Sequence, residues 1–218
     1  MRFIPVLFFC VCLFTRVDAQ THPDFWNDVQ VIKQYDKIYA PPKNPILFTG
    51  SSSIRMWGNL AEQFRGYPVL NRGIGGAVTR DIDRYVADII LPYKPRQIVL
   101  YIGENDILTA PNGDTVFLAV QKLFQHIRAF LPDVPVAYIS IKPSPSRAQF
   151  LPVATRANEL IRDYLATQSG TAFIDIYPLM LDKKGNMRPE LFREDKLHMK
   201  QEGYDIWYKK IRPFLVNQ

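Results

Sequence analysis

The chain has 218 residues, of which 47% are hydrophobic and 22% charged. That composition suits one domain with a sizeable core and excludes a disordered or fibrous protein. Its formal charge of +6 arises from 27 Lys and Arg against 21 Asp and Glu, but the cations are scattered, and a nucleic-acid partner would need them clustered.

Arg2 precedes an apolar run over residues 3–14, and a polar stretch then ends in Val17-Asp18-Ala19, whose small residues at alternate positions suit signal peptidase. The run falls short of the roughly 20 residues that a bilayer-spanning helix needs. Residues 1–19 therefore read as a signal peptide and 20–218 as one mature domain, secreted or periplasmic, with no stable membrane insertion after cleavage. Cys10 and Cys12, the two cysteines of the sequence, both lie in the leader. No disulfide or cysteine-bound metal is expected in the mature chain, and exported proteins need neither. Cys10 follows two phenylalanines, without the small residue that precedes a lipidated cysteine.

From there the spacing predicts a helix over residues 24–40, with Phe25, Val29, Ile32, Tyr35 and Ile38 near one face, ended by Pro41-Pro42. A strand over 46–48 leads to a partly helical aromatic stretch containing Trp57 and Phe64, and then to a short run over 69–71. A helix over 79–93 turns Ile82, Val86, Ile89 and Ile90 inward. Residues 97–102 are the clearest strand. A long helix over 114–131, capped by Asp114 and stopped before Pro132, follows. Further strands are read over 136–141 and 172–176, a helix within 146–168, and a terminal helix over 199–214. Strands alternating with helices imply an α/β fold: a five-stranded parallel sheet covered on both faces, a three-layer α/β/α sandwich.

In such a sheet, the residues just after each strand gather at the carboxyl edge, where open α/β sheets bind ligands. The chemically unusual residues of this chain fall there: Gly50-Ser51-Ser52-Ser53, Asn71-Arg72-Gly73-Ile74-Gly75-Gly76 and Gly103-Glu104-Asn105-Asp106. Asp195-Lys196-Leu197-His198 leads into the last helix. A serine in the first turn is exposed to substrate on one side and near helix-start N–H groups on the other, as a nucleophile requires, although serines also cap helices.

Of three histidines, His22 sits beside the expected cleavage point and His126 within the long helix, where packing or surface roles are expected. His198 has Asp195 three residues upstream, a spacing that lets the carboxylate fix the ring tautomer and leave the other nitrogen for a serine. Glu194 and Asp175 are rival orienting carboxylates. The Gly75-Gly76 turn can offer an unobstructed backbone N–H to an oxyanion and Asn105 a side-chain amide, although a turn needing positive φ and a loop amide satisfying its own backbone would look the same.

Taken in order, the four blocks resemble those of the SGNH, or GDSL-type, esterases and lipases over most of the mature chain. The resemblance implies Ser52 as nucleophile, Gly76 and Asn105 as oxyanion donors beside the Ser52 N–H, and Asp195 with His198 as orienter and base. It also implies a flavodoxin-like sandwich and no cofactor. Ser51 stands where the namesake motif has aspartate, and Ala77-Val78 where Asp-Thr is frequent. The expected substrate is a small-molecule or glycan ester, acetylated carbohydrate first and lipids second. A non-catalytic carbohydrate-binding protein on the same fold is the alternative. A dinucleotide site starting at Gly73 would want glycine where Val78 stands, and there is no Walker lysine motif and no G-x-S-x-G. The loop over 142–147, Trp57, Phe150 and Tyr204 are candidates for shaping the pocket.

Overall fold

Five apolar runs form the strands of the sheet, β1 (Ile46–Gly50), β2 (Val69–Gly73), β3 (Gln97–Tyr101), β4 (Val136–Ile139) and β5 (Thr171–Ile174). They are seen in a computed structural model that describes residues 24–217. All four strand pairings are parallel and the order is β2-β1-β3-β4-β5, the flavodoxin-like arrangement, with its switch point between β1 and β3. The expected signal peptide, with Cys10 and Cys12, and His22 lie outside the described residues.

Eight α-helices accompany the sheet among the described residues: α1 (Trp26–Ile38), α2 (Ser52–Arg55), α3 (Leu60–Gln63), α4 (Thr79–Arg84), α5 (Val86–Ile89), α6 (Gly113–Phe130), α7 (Leu151–Ala166) and α8 (Gln201–Ile211). Because strand side chains alternate between faces, Leu47, Ile98, Leu100 and Tyr138 join residues of α1, α4, α5, α6 and α7 in one core. Ile46, Phe48, Val99, Tyr101 and Ile139 join α2, α3 and α8 in the other. Both cores are needed to cover a parallel sheet, which tolerates no wet face.

Three local expectations are corrected. The helix over 79–93 is broken at Tyr85, which leaves helical geometry at φ −103° and ψ 15°, and gives way to a 3-10 turn at Leu91–Tyr93. The Tyr85 hydroxyl donates to the Asp24 carbonyl at 2.9 Å, and Pro92 removes a helical donor. In α1 only Val29 is buried, while Tyr35 and Ile38 are 61% and 71% exposed, so periodicity overstated that helix's inward face. Asn112, not Asp114, caps α6 by accepting from Thr115 N–H at 3.0 Å, and Asp114 pairs instead with Arg156.

Candidate active site

β1 ends at Gly50 with φ +127°, where a Cβ would lie 1.8 Å from the Tyr101 carbonyl oxygen. Only glycine fits there, and the approach lets Ser51 N–H donate to that same carbonyl at 3.0 Å. The chain then turns directly into α2, placing Ser52 at its first position. Asn71 clamps this turn from β2: its amide donates to the Ile54 carbonyl at 2.6 Å and its oxygen accepts from Gly73 N–H at 3.0 Å. The Tyr204 hydroxyl donates to the Ser53 carbonyl at 3.0 Å from the other side. Ser51, the departure from the family motif, is buried, makes no capping bond, and its hydroxyl finds no protein partner.

The Asp195-Lys196-Leu197-His198 block folds around its own carboxylate. Asp195 Oδ1 accepts from the N–H groups of Leu197 and His198, both at 2.9 Å, and Oδ2 lies 2.7 Å from His198 Nδ1. His198 Nε2 is then 3.0 Å from Ser52 Oγ. With Nδ1 carrying the proton toward the carboxylate, Nε2 presents a lone pair to the serine hydroxyl. Desolvation acts to raise the Asp195 pKa, but the bonds from the His198 ring and the two backbone donors outweigh it and hold the carboxyl down at about 2. Of the rival carboxylates, Asp175 accepts from Ser140 Oγ at 3.3 Å and Tyr177 N–H at 3.1 Å, and Glu194 is exposed.

Oxyanion donors need N–H groups left unused by the fold. Neither Ser52 nor Gly76 donates its backbone N–H to another described group. Gly76 sits at φ +80°, which turns its peptide in a way that L side chains resist. The Asn105 amide spends one hydrogen on the Ala77 carbonyl, 3.0 Å away, holding it against the glycine turn with its second hydrogen in hand. Gly76 and Asn105 together line a cleft of about 520 Å³ with Val78, Arg80, Leu108 and Ala119, and Ser52 and His198 are not among its lining residues. The Phe25 ring borders the same turn, with Cζ 4.0 Å from where a Gly76 Cβ would be. A larger groove of about 770 Å³ runs beside α1 and contains none of Ser52, Asn105 and His198.

Beneath Asn105 lies an ion pair that sequence reading missed. Lys142 and Glu104 have side chains 0% and 3% exposed and are in direct contact, and Ser144 Oγ also donates to Glu104. Burial pushes the Lys142 ammonium pKa down, and the Glu104 carboxylate opposes it. This network ties the segment after β4 to the residue preceding Asn105. The loop over 142–147 was expected to shape a pocket, yet Lys142 is sealed inside. Trp57 and Tyr204 also belong to the core, stacked at a centroid distance of 5.0 Å, while Phe150 is partly buried against the opposite core. Glu104 within the Gly103-x-Asn105-Asp106 block was the one available signal. His126 contacts Asp83 at 2.7 Å on the flank of α6, away from the four turns. Among the described residues, no group of three or more His, Cys, Asp or Glu side chains could hold a metal.

The sheet order and its covering helices define a three-layer α/β/α protein of the kind seen in several solved structures. These include a GDSL-like lipase from Bacteroides thetaiotaomicron VPI-5482, with a TM-score of 0.70 and 20% identity over 86% of this chain and 96% of that one. A carbohydrate esterase of family 3 from Talaromyces cellulolyticus gives 0.61 and 17%, covering 78% and 94%. A serine-to-alanine mutant of an acetyl esterase, solved with an acetate ion, gives 0.60 and 18%, covering 78% and 94%. No curated protein matches the sequence. The model of the GDSL-like lipase/acylhydrolase family matches residues 47–206, and the chain belongs to that family.

Proposed function

We propose that this chain is a secreted serine ester hydrolase working through an acyl-enzyme on Ser52. The observation that carries the reading is the continuous line from Asp195 Oδ2 through the His198 ring to Ser52 Oγ, with separations of 2.7 and 3.0 Å. His198 takes the serine proton as Ser52 Oγ attacks the ester carbonyl, and the oxyanion accepts from the N–H groups of Ser52 and Gly76 and the Asn105 amide. The C–O bond to the alcohol then breaks, and the alcohol leaves with the proton from His198. Water, deprotonated by the same ring, releases the acid and restores the serine. The route needs no metal or organic cofactor.

The substrate of this reading is a short-chain ester, foremost an acetyl group on carbohydrate. Two solved neighbours are described as an acetyl esterase and a carbohydrate esterase, and the cleft at the oxyanion donors is of small-molecule size. A fluorophosphonate probe should add its mass to the peptide containing Ser52, and Ser52→Ala should abolish both labelling and turnover of p-nitrophenyl acetate. Retained turnover in that variant would refute the assignment. Export is tested separately: protein recovered from the medium or periplasm should begin at Gln20, and an intact Met1 would contradict it.

A further inference from the structure

We propose that the site selects esters bearing a negative group, a carboxylate or a phosphate, and that Arg80 and Arg147 are the residues that recognise it. The inference rests on the ester-hydrolase reading and names its substrate class.

Most arginines of the described chain are engaged. Arg55, Arg72, Arg84, Arg156, Arg162 and Arg188 pair with carboxylates, and Arg96, Arg128 and Arg193 donate to backbone carbonyls. The side chains of Arg65, Arg80, Arg147 and Arg212 make no hydrogen bond or ion pair with any described residue; Arg65 precedes β2 and Arg212 follows α8, whereas Arg80 and Arg147 come after β2 and β4, toward the carboxyl edge of the sheet. Arg80 lines the 520 Å³ cleft with the oxyanion donors Gly76 and Asn105. Arg147 lies beyond β4, where Ser146 N–H donates at 3.0 Å to the Lys196 carbonyl, inside the block that carries Asp195 and His198. Arg147 is half-buried and its Nε is buried without a protein partner, which leaves one donor of the fork unsatisfied. In the order β2-β1-β3-β4, Arg80 follows β2 and Arg147 follows β4, so the segments that carry them leave the sheet on either side of the strands that end in the Ser52 and Asn105 turns.

Local carboxylates do not cancel them. Asp106, in the same cleft, accepts from Thr79 N–H with both oxygens at 3.1 Å, Glu104 is held by Lys142, and Asp195 by His198. Glu194 remains exposed on the loop. A guanidinium fork free of protein acceptors, at the wall of a partly apolar cleft, favours a planar carboxylate or a phosphate over a neutral hydroxyl.

The test is a selectivity ratio. Values of kcat/KM are measured for O-acetylated oligogalacturonate, an O-acetylated xylo-oligosaccharide of equal length, and acetyl phosphoglycerol beside acetyl glycerol. The first comparison probes a carboxylate and the second a phosphate. Wild type should prefer one anionic member over its neutral counterpart by at least about tenfold, and the preference should shrink with added salt. Arg80→Ala and Arg147→Ala should each cut that ratio severalfold, and Arg80→Lys should retain part of it. A ratio is insensitive to the fraction of folded enzyme. Equal rates on both members of both pairs, or a ratio unmoved in the two alanine variants, would overturn the proposal. Calorimetric binding of unacetylated oligogalacturonate and of glycerol phosphate to Ser52→Ala, with and without Arg80→Ala, separates this inference from the hydrolase reading. Arginine-dependent binding without turnover in wild type would sink the hydrolase alone, and turnover with no binding of either anion would sink the anion site alone.

Discussion

Ser52 and His198, 146 positions apart in the chain, meet with 3.0 Å between the serine hydroxyl and the Nε2 of the ring. Neither residue can do acyl transfer alone at neutral pH, since a serine hydroxyl is a weak nucleophile without an adjacent base. His198→Ala should therefore lower kcat on p-nitrophenyl acetate by at least about 10⁴-fold, and the double variant with Ser52→Ala should lose little more. Multiplicative losses would mean that the two side chains do not act as a unit.

Asp195 sets the acid behaviour of this pair. Its carboxyl is held at about 2, below the ordinary aspartate value, so its stabilising contribution is complete above the ordinary carboxylate range and is lost as pH falls toward 2. The carboxylate is 47% exposed, and screening keeps that contribution small. The difference in melting temperature between wild type and Asp195→Asn should be constant above about pH 5 and close between about pH 4 and 2. Closure near neutrality would contradict the pairing. At pH 7 the same variant should lose activity on the order of 10²- to 10⁴-fold through the wrong ring tautomer.

Asn105 is expected to act on the transition state more than on the bound ester. Asn105→Ala should cost about 10²- to 10³-fold in kcat, or about 2.7 to 4 kcal/mol, with little change in KM. A rise in KM at constant kcat would reassign the residue to substrate binding. Its bond to the Ala77 carbonyl should add a modest loss of stability, about 1 kcal/mol.

The Lys142–Glu104 pair makes a prediction about stability. Lys142→Met leaves a carboxylate buried without its counterion and should cost about 3 to 5 kcal/mol, roughly 10 °C in melting temperature for a chain of this size. Adding Glu104→Gln should recover much of that loss, because the uncompensated charge is gone. Equal melting temperatures for Lys142→Met and wild type would show that the buried contact does not form in solution.

The departure at Ser51 gives a milder expectation. Its hydroxyl is buried with no protein partner, so Ser51→Ala should change stability by less than about 1 kcal/mol. Ser51→Asp, restoring the family's residue, should destabilise the fold at neutral pH and less so in acid, because a charge would enter a site without a partner. Thermal melts at two pH values decide this.

Much of the architecture was legible because its signals are local. The run Gln97–Tyr101 and the Pro and Gly breaks around it set strand and turn, and the alternation of strands with helices fixed the parallel sandwich. The Asp195 carboxylate and His198 lie in one turn, so their pairing could be read from spacing. The break at Tyr85 could not, since the apolar period runs straight through it, and the partner its hydroxyl finds, the Asp24 carbonyl, lies 61 residues earlier. Lys142 in a Lys-Pro-Ser-Pro stretch reads as part of a loop that shapes the pocket, and its buried partner Glu104 is 38 residues away. Tyr35 and Ile38 had the right period for a core face, but period gives the direction of a side chain along a helix and not whether another layer covers it.

By itself, then, the amino-acid order determined which elements form, in what succession, and which residue types stand after each strand, since these follow from backbone sterics and hydrophobic period over a few neighbours. The tertiary structure alone decided that the glycine at 50 must lie against the Tyr101 carbonyl, that a lysine would be sealed beneath the Asn105 turn, and that the guanidiniums in the segments after β2 and β4 would be left without partners. Each of those depends on atoms brought together from distant parts of the chain, where packing and desolvation, not local propensity, set the energy.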